Sequence, residues 1–271
     1  MYKAEDALLT ALLVLYVLSG VCYVLYVAFK RERIRQCAMT LHVLAFAMHS
    51  LTIVLRGVYA GRVPLVYSFE FASAFAWGVC LMALVFEIRY RFHALGAVAM
   101  PVVALLLFYA SSQTRAVRAL MPALNSNWLV YHVSTVIVAY SAFAVAFVIS
   151  LIYLLRGKVK AGSFWDKHLP DQAKLDVLSY RAARLGLVFL TVTIILGALW
   201  AEQAWGNYWT WDPKETWSLI TWLVYAMYLH LRMGRGVRGK TAAIIAVIGF
   251  LCVLFTYVGV NTLLPGLHSY A

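Results

Sequence analysis

Five of the nine tryptophans of this chain fall in one stretch, as Trp200, Trp205, Trp209, Trp211 and Trp217, interrupted by Gly206, Asp212 and Pro213. Indole and phenol faces are what a planar macrocycle stacks on, and indole N–H groups add hydrogen-bond donors. The competing reading is an aromatic belt at a membrane interface. Belts, however, are spread over many helix ends, and this is one dense loop. Asp212 before Pro213, with Glu215 following, also reads as a helix start, which makes a cap the preferred role for the Asp212 side chain.

Histidines supply the second chemistry. His132 closes the run Asn127-Trp128-Leu129-Val130-Tyr131-His132, and His268 stands near the end in Gly266-Leu267-His268-Ser269-Tyr270. A lone histidine at a helix end is usually a wet interfacial residue. Two imidazoles on the side of the tryptophan loop could instead supply both axial ligands of a haem iron.

Whether they share a side depends on the elements that carry them. Hydrophobic residues make up 64% of the 271 residues, charged residues 13%, and the mean hydropathy is +0.81. A soluble chain carries about 25% charged residues, so composition indicates a membrane protein. About 20 apolar residues cross a hydrocarbon core. Eight such stretches can be marked, near 7–29, 37–55, 68–86, 93–110, 128–155, 183–202, 216–231 and 241–262. They are too long and too uniformly apolar for barrel strands, so the predicted fold is all-α and polytopic, with about eight transmembrane helices. The first stretch is read as a retained span, because it is too long for a signal peptide and lacks a basic head.

Lys and Arg set the expected orientation. The connections at 30–35, 89–91, 156–184 and 232–240 hold 17 of the 23, against Lys3, Arg56, Arg62, Arg115, Arg118 and Lys214 elsewhere. Both termini are therefore expected on the outer side, with the 200–217 loop, His132 and His268. The 156–182 loop is expected in the cytoplasm, and 1–271 to form a single integral membrane domain. The net charge of +12 is then mostly this asymmetry, and no soluble basic face for nucleic acid is present.

Other residues receive plainer readings. His230 ends the seventh stretch beside Arg232, where a snorkelling interfacial residue is the default. His42 and His49 lie within the second stretch, where ionisable groups are functional suspects, and packing is the alternative. His93 and His168 are read as surface residues. Glu70 is read as favouring a helix N-terminus after Ser68, and Pro101 as a kink. Cys22, Cys37, Cys80 and Cys252 stand singly, with no CxxC pair, and are read as small core or lipid-facing side chains.

The stretch WGNYWTWDPKETWSLITWLVYAMYLHLR resembles the tryptophan-rich "WWD" signature of the cytochrome c assembly family, and more narrowly its CcsA (ResC) branch in the system II pathway. GVNTLLPGLHSYA, NSNWLVYHVSTVIVAYSA and the run from His49 through Arg56, Gly61, Pro64 and Glu70 to Trp77 extend the resemblance over most of 40–271. It implies that Trp205, Gly206, Trp209, Trp211 and Asp212 cradle haem b, and that His132 and His268 ligate its iron. It further implies that His230 is a transmembrane haem ligand completed by a CcsB-type membrane subunit. The implied activity is a cytochrome c haem lyase (synthase) component. Haem is delivered and attached covalently to CxxCH apocytochromes c on the outer face of a bacterial inner or plastid thylakoid membrane, with a thioredoxin-like thiol reductant. The alternatives are a HemX- or CcmC-like haem handler without ligation, a b-type electron-transfer subunit with histidines paired inside the spans, and a channel with an incidental aromatic belt.

Overall fold

The computed structural model describes residues 2–264 and Gly266, and every regular element among them is helical. In lipid each backbone N–H and C=O must be satisfied within its own segment, which is why these apolar runs form helices. The elements are α1 (Tyr2–Phe29), α2 (Glu32–Ala60), α3 (Ser68–Tyr90), α4 (Gly96–Ser111), α5 (Asn127–Arg156), the short α6 (Phe164–His168), α7 (Gln172–Trp205), α8 (Pro213–Gly234), α9 (Gly239–Leu254) and α10 (Val260–Leu263). A single π-turn, Phe255–Gly259, joins α9 to α10.

Seven helical segments among the described residues are long and apolar enough to cross a membrane. α8 is not one of them, although 22 residues rise about 33 Å, enough to span the core. Its Lys214, Glu215, His230 and Arg232 lower its hydropathy. A second departure concerns the 156–182 loop, most of which is helix. The polar run Gln172–Arg184 buries Leu175, Leu178, Ser179, Ala182 and Ala183. That spacing is an amphipathic helical face, to which a hydropathy window is blind.

The chain divides into two compact units. The first comprises 1–64, 68–115 and 155–172, with α1 to α4 as its body. Gly61 at φ +63 ends α2 and returns its N–H to the Gly57 and Val58 carbonyls, so Pro64 follows a helix already closed. Gly96 lets the Tyr23 ring lie where a Cβ would stand. Gly20 likewise receives Pro101 of α4 at 3.4 Å. Cys22 and Cys37 bring their sulfurs to 3.9 Å, a pairing the sequence spacing does not suggest.

The second unit comprises 65–67, 116–154 and 173–271. Its core helix is α5, whose Phe143 stacks on Tyr225 of α8 at 3.7 Å between centroids. Gly186 of α7 and Gly249 of α9 make room for those two rings. Small residues where helices meet are the usual means of close packing in membranes. Asp176 on α7 takes two hydrogen bonds from Arg232 of α8, at 2.7 and 2.6 Å, and one from the Gly239 N–H that opens α9, at 2.9 Å. One largely buried carboxylate thus ties three helix ends.

Candidate functional site

The tryptophan-rich loop is built around a helix start. Asp212 caps α8 by accepting the Lys214 N–H at 2.9 Å, and Glu215 reaches back to the Asp212 N–H at 3.2 Å and the Thr210 N–H at 2.8 Å. This is a capping box with Pro213 at the first helical position. Gly206 at φ +75 turns the chain out of α7, and a Cβ there would meet nothing. Trp211 sits at φ +59, a conformation L side chains with bulk avoid. Its ring is 68% exposed and the nearby Tyr208 ring 59%, while Trp209 packs edge-on against Trp211 at 5.7 Å. The Trp209 Nε1–H is buried and makes no hydrogen bond among the described residues. The loop therefore presents exposed ring faces beside a buried donor.

His132 belongs to the same unit. Its Nδ1 donates to the Thr193 carbonyl at 2.9 Å, which makes Nε2 the lone-pair nitrogen of the neutral ring, the tautomer an iron ligand needs. Thr193 in turn donates to Thr135 at 3.0 Å. Gly197 on α7 is the residue that admits the imidazole, because a Cβ there would lie 2.8 Å from Cε1 and 2.9 Å from Nδ1. Trp200 stacks on His132 at 6.0 Å, donates its indole N–H to the Ala123 carbonyl, and meets Trp205 edge-on at 4.9 Å. His132 is thus linked ring by ring to the loop. Sequence reasoning missed Gly197, Thr193 and the linking role of Trp200. Only the fixed separation of α5 and α7 reveals them.

His268 lies outside the described residues. Gly266 does not, and its backbone packs directly against the Asp212 carboxylate. The chain two residues before His268 therefore touches the loop. His230 is exposed on α8 and makes no hydrogen bond or ion pair among the described residues. It stands apart from the His132 cluster, two residues from the anchored Arg232.

In the first unit, His42 and His49 are fully buried and both ring nitrogens of each are engaged by protein atoms. His93 bonds Glu87 at 3.0 Å, so it is more than the surface residue the sequence suggests. Glu70 takes paired hydrogen bonds from Arg62 at 2.8 and 2.9 Å, a heavier duty than helping a helix start.

Fold and loop define a class, a multi-pass helical membrane protein with an aromatic platform built on a capped helix. The pattern of the Cytochrome C assembly protein family matches residues 65–268, and the chain belongs to that family. Among curated relatives, a "Cytochrome c biogenesis protein CcsA" of Prochlorococcus marinus is 36% identical over 251 residues, 82% of this chain and 79% of that one. The protein of the same name from Parasynechococcus marenigrum is 39% identical, over 80% of this chain and 81% of that one. The one from Chlamydomonas reinhardtii is also 39% identical, over 81% of this chain but only 64% of its own length. The chain is thus CcsA-like across most of its length. Its fold resembles the solved "Cytochrome c Heme Lyase CcmF", with a TM-score of 0.69 at 16% identity, covering 93% of this chain and 46% of that one.

Proposed function

We propose that the chain is the haem-holding part of a cytochrome c synthase, which presents haem b on the outer face of its membrane for covalent attachment to CxxCH apocytochromes c. The observation that carries this reading is the His132 arrangement. Thr193 and Gly197 fix an imidazole with its lone pair on Nε2, next to a loop of exposed aromatic faces that the chain leading to His268 also touches.

His132 and His268 are the two axial ligands in this reading. Trp205, Gly206, Trp209 and Trp211 hold the ring, and the buried Trp209 N–H is a donor for a haem propionate. Asp212 shapes the loop through its capping box. His230 is a second haem ligand on α8, completed by a CcsB-type subunit, which accords with its exposure. Attachment adds each apocytochrome thiol across a haem vinyl group. Sulfur bonds one vinyl carbon and the thiol hydrogen goes to the other, so no electrons are gained or lost once a thioredoxin-like partner has kept the thiols reduced. The chain's contribution is positioning, which converts a bimolecular addition into an effectively unimolecular one. The engaged nitrogens of His42 and His49 weigh against a b-type electron-transfer subunit with haem held inside the first unit.

The test compares haem spectra of the chain, with and without its partner subunit, against a His132→Ala/His268→Ala double variant. The expected result is loss of the bis-histidine spectrum together with loss of thioether-linked product on a CxxCH substrate. Haem binding unchanged in the double variant would overturn the reading. Haem bound by the wild-type complex without any thioether product would favour a handler without ligation.

A further inference from the structure

At one end of the first unit, α1, α2 and α3 enclose a cavity of about 270 Å³. Most of its wall is apolar, with Leu8 and Leu9 from α1, Ile53 and Leu55 from α2, and Pro64 and Phe69 beyond. The polar part is smaller and gathers at the helix ends. Glu5 is in the first turn of α1, Glu70 in the first turn of α3, and Arg56 near the close of α2 at Ala60. Thr52, also on the wall, lies about 12 Å along the helix from Ala60. The cavity therefore runs from head-group depth toward the hydrocarbon. Its rim is open, with Leu55 49% and Tyr59 50% exposed.

Four charges meet at the polar end and cancel. Arg56 Nη1 donates to Glu5 Oε1 at 3.3 Å and Nη2 to the Arg115 carbonyl at 2.9 Å. Glu70 is already held by Arg62, while Arg115 is paired with Asp6. Two guanidinium groups thus face two carboxylates, and two buried polar atoms are left over. One is a donor, Arg56 Nε, whose nearest carboxylate oxygen, Glu70 Oε1, is 3.5 Å away, beyond ordinary hydrogen-bond length. The other is an acceptor, Glu5 Oε2. Neither makes a hydrogen bond among the described residues, although the Arg56 side chain is only 6% exposed. A buried charged group left short of a hydrogen bond is more costly than a neutral one, so both atoms require a partner.

The rest of the cavity narrows what that partner is. Water suits the polar end alone, because a space walled by apolar side chains stays dry. An apolar chain from the bilayer fills such a space. A head group of either sign would unbalance the four charges, and an uncompensated charge is strongly disfavoured where water is excluded. The matching head is uncharged, with one hydroxyl to donate and one oxygen to accept.

We propose that this cavity binds the uncharged, hydroxyl-bearing head of a membrane amphiphile. Its hydroxyl donates to Glu5 Oε2, another of its oxygens accepts from the Arg56 Nε–H, and its tail leaves past Leu55 and Tyr59. Two sources carry that chemistry, the glycerol of a diacylglycerol and the ring of an isoprenoid hydroquinone. Binding satisfies both leftover atoms and joins the ends of α1 and α2 through the ligand. No covalent bond is made or broken. The cavity shares no residue with the His132 site, so either proposal can fail alone.

The experiment counts molecules bound to the full chain in detergent by native mass spectrometry. The probes are dioleoylglycerol, a decyl-tailed benzohydroquinone and the anionic dioleoylphosphatidylglycerol. Wild type is expected to retain one uncharged probe per chain, about tenfold or more tightly than the anionic one, because the latter brings an uncompensated charge. Which uncharged probe is retained identifies the source. Thr52→Phe places a ring in the cavity and removes a hydroxyl that bonds only the Met48 and His49 carbonyls of its own helix. It should abolish retention. Glu5→Gln leaves one positive charge in excess and should turn the preference toward the anionic probe. A thermal unfolding curve, which needs no haem, monitors folding of each variant. Equal retention of the three probes by wild type, retention surviving Thr52→Phe, or a preference unmoved by Glu5→Gln would each overturn the proposal. So would the absence of any retained probe, which leaves both atoms to water.

Discussion

Trp211 is held at φ +59, a conformation that costs a bulky residue about 1–2 kcal/mol, and strain of this kind persists only where the surroundings over-determine it. The capping box on its C-terminal side supplies that constraint. Trp211→Gly is therefore expected to leave thermal stability unchanged or raised while haem retention falls, read by an unfolding curve and the haem absorbance of the same sample. Haem bound as in wild type would remove Trp211 from the platform. Gly197 permits the same separation for His132. Alanine is the better helix former by about 1 kcal/mol, yet its Cβ would press on the imidazole at 2.8 Å. Gly197→Ala should weaken haem binding by about 10- to 100-fold, the usual cost of disturbing a ligand's support, without loss of fold. At this scale the sequence names the groups proposed to touch haem, because tryptophan and histidine declare their chemistry. It is silent on Gly197 and Thr193, whose roles exist only once α7 lies against α5.

The elements are legible where hydropathy is high and blurred where a helix is amphipathic. The first turns of α7 read as loop because their buried residues alternate with Lys174, Asp176 and Arg181. That amphipathic segment supplies Asp176, which bonds Arg232 and the Gly239 N–H. Both side chains of the pair are nearly buried, at 8% and 11% exposed, and breaking a buried pair by removing one partner costs about 3–5 kcal/mol. Asp176→Ala should lower the thermal midpoint in detergent by that measure, whereas Asp176→Ala/Arg232→Met, which leaves no unpaired charge, should recover much of it. If the double variant is as unstable as the single one, the contribution of Asp176 lies in the α9 N–H rather than in the pair. The buried polar groups of the first unit are half legible in the same way. His42 and His49 stand out in an apolar run, but their partners Tyr16, Ser73, Tyr23 and Glu87 are found only when three helices are set side by side.

For the whole molecule the open quantity is the path of α8. Seven helical segments meet the length and hydropathy of a membrane span and α8 does not, so counting alone leaves its ends on one side or on two. Packing settles the parity. Gly266, three residues beyond α10, lies against Asp212, the residue that caps the start of α8. The start of α8 and the end of α10 are therefore at one membrane face. Between them the chain runs up α8 and back along Gly239–Leu263, a segment long and apolar enough to be a span. If that segment crosses and its far end meets the start of α8, α8 must cross as well, in the opposite direction. Its polar groups are tolerable because Glu215 and Lys214 lie at one end and Arg232 is paired at the other. Single cysteines at Asn207 and Ser269 in a chain whose four native cysteines are replaced should then react with a membrane-impermeant thiol reagent from the same side, and a cysteine at Val237 only from the other. Labelling of 207 and 237 from one side would place α8 along the interface, and with it separate His132 from His268 and end the shared iron site.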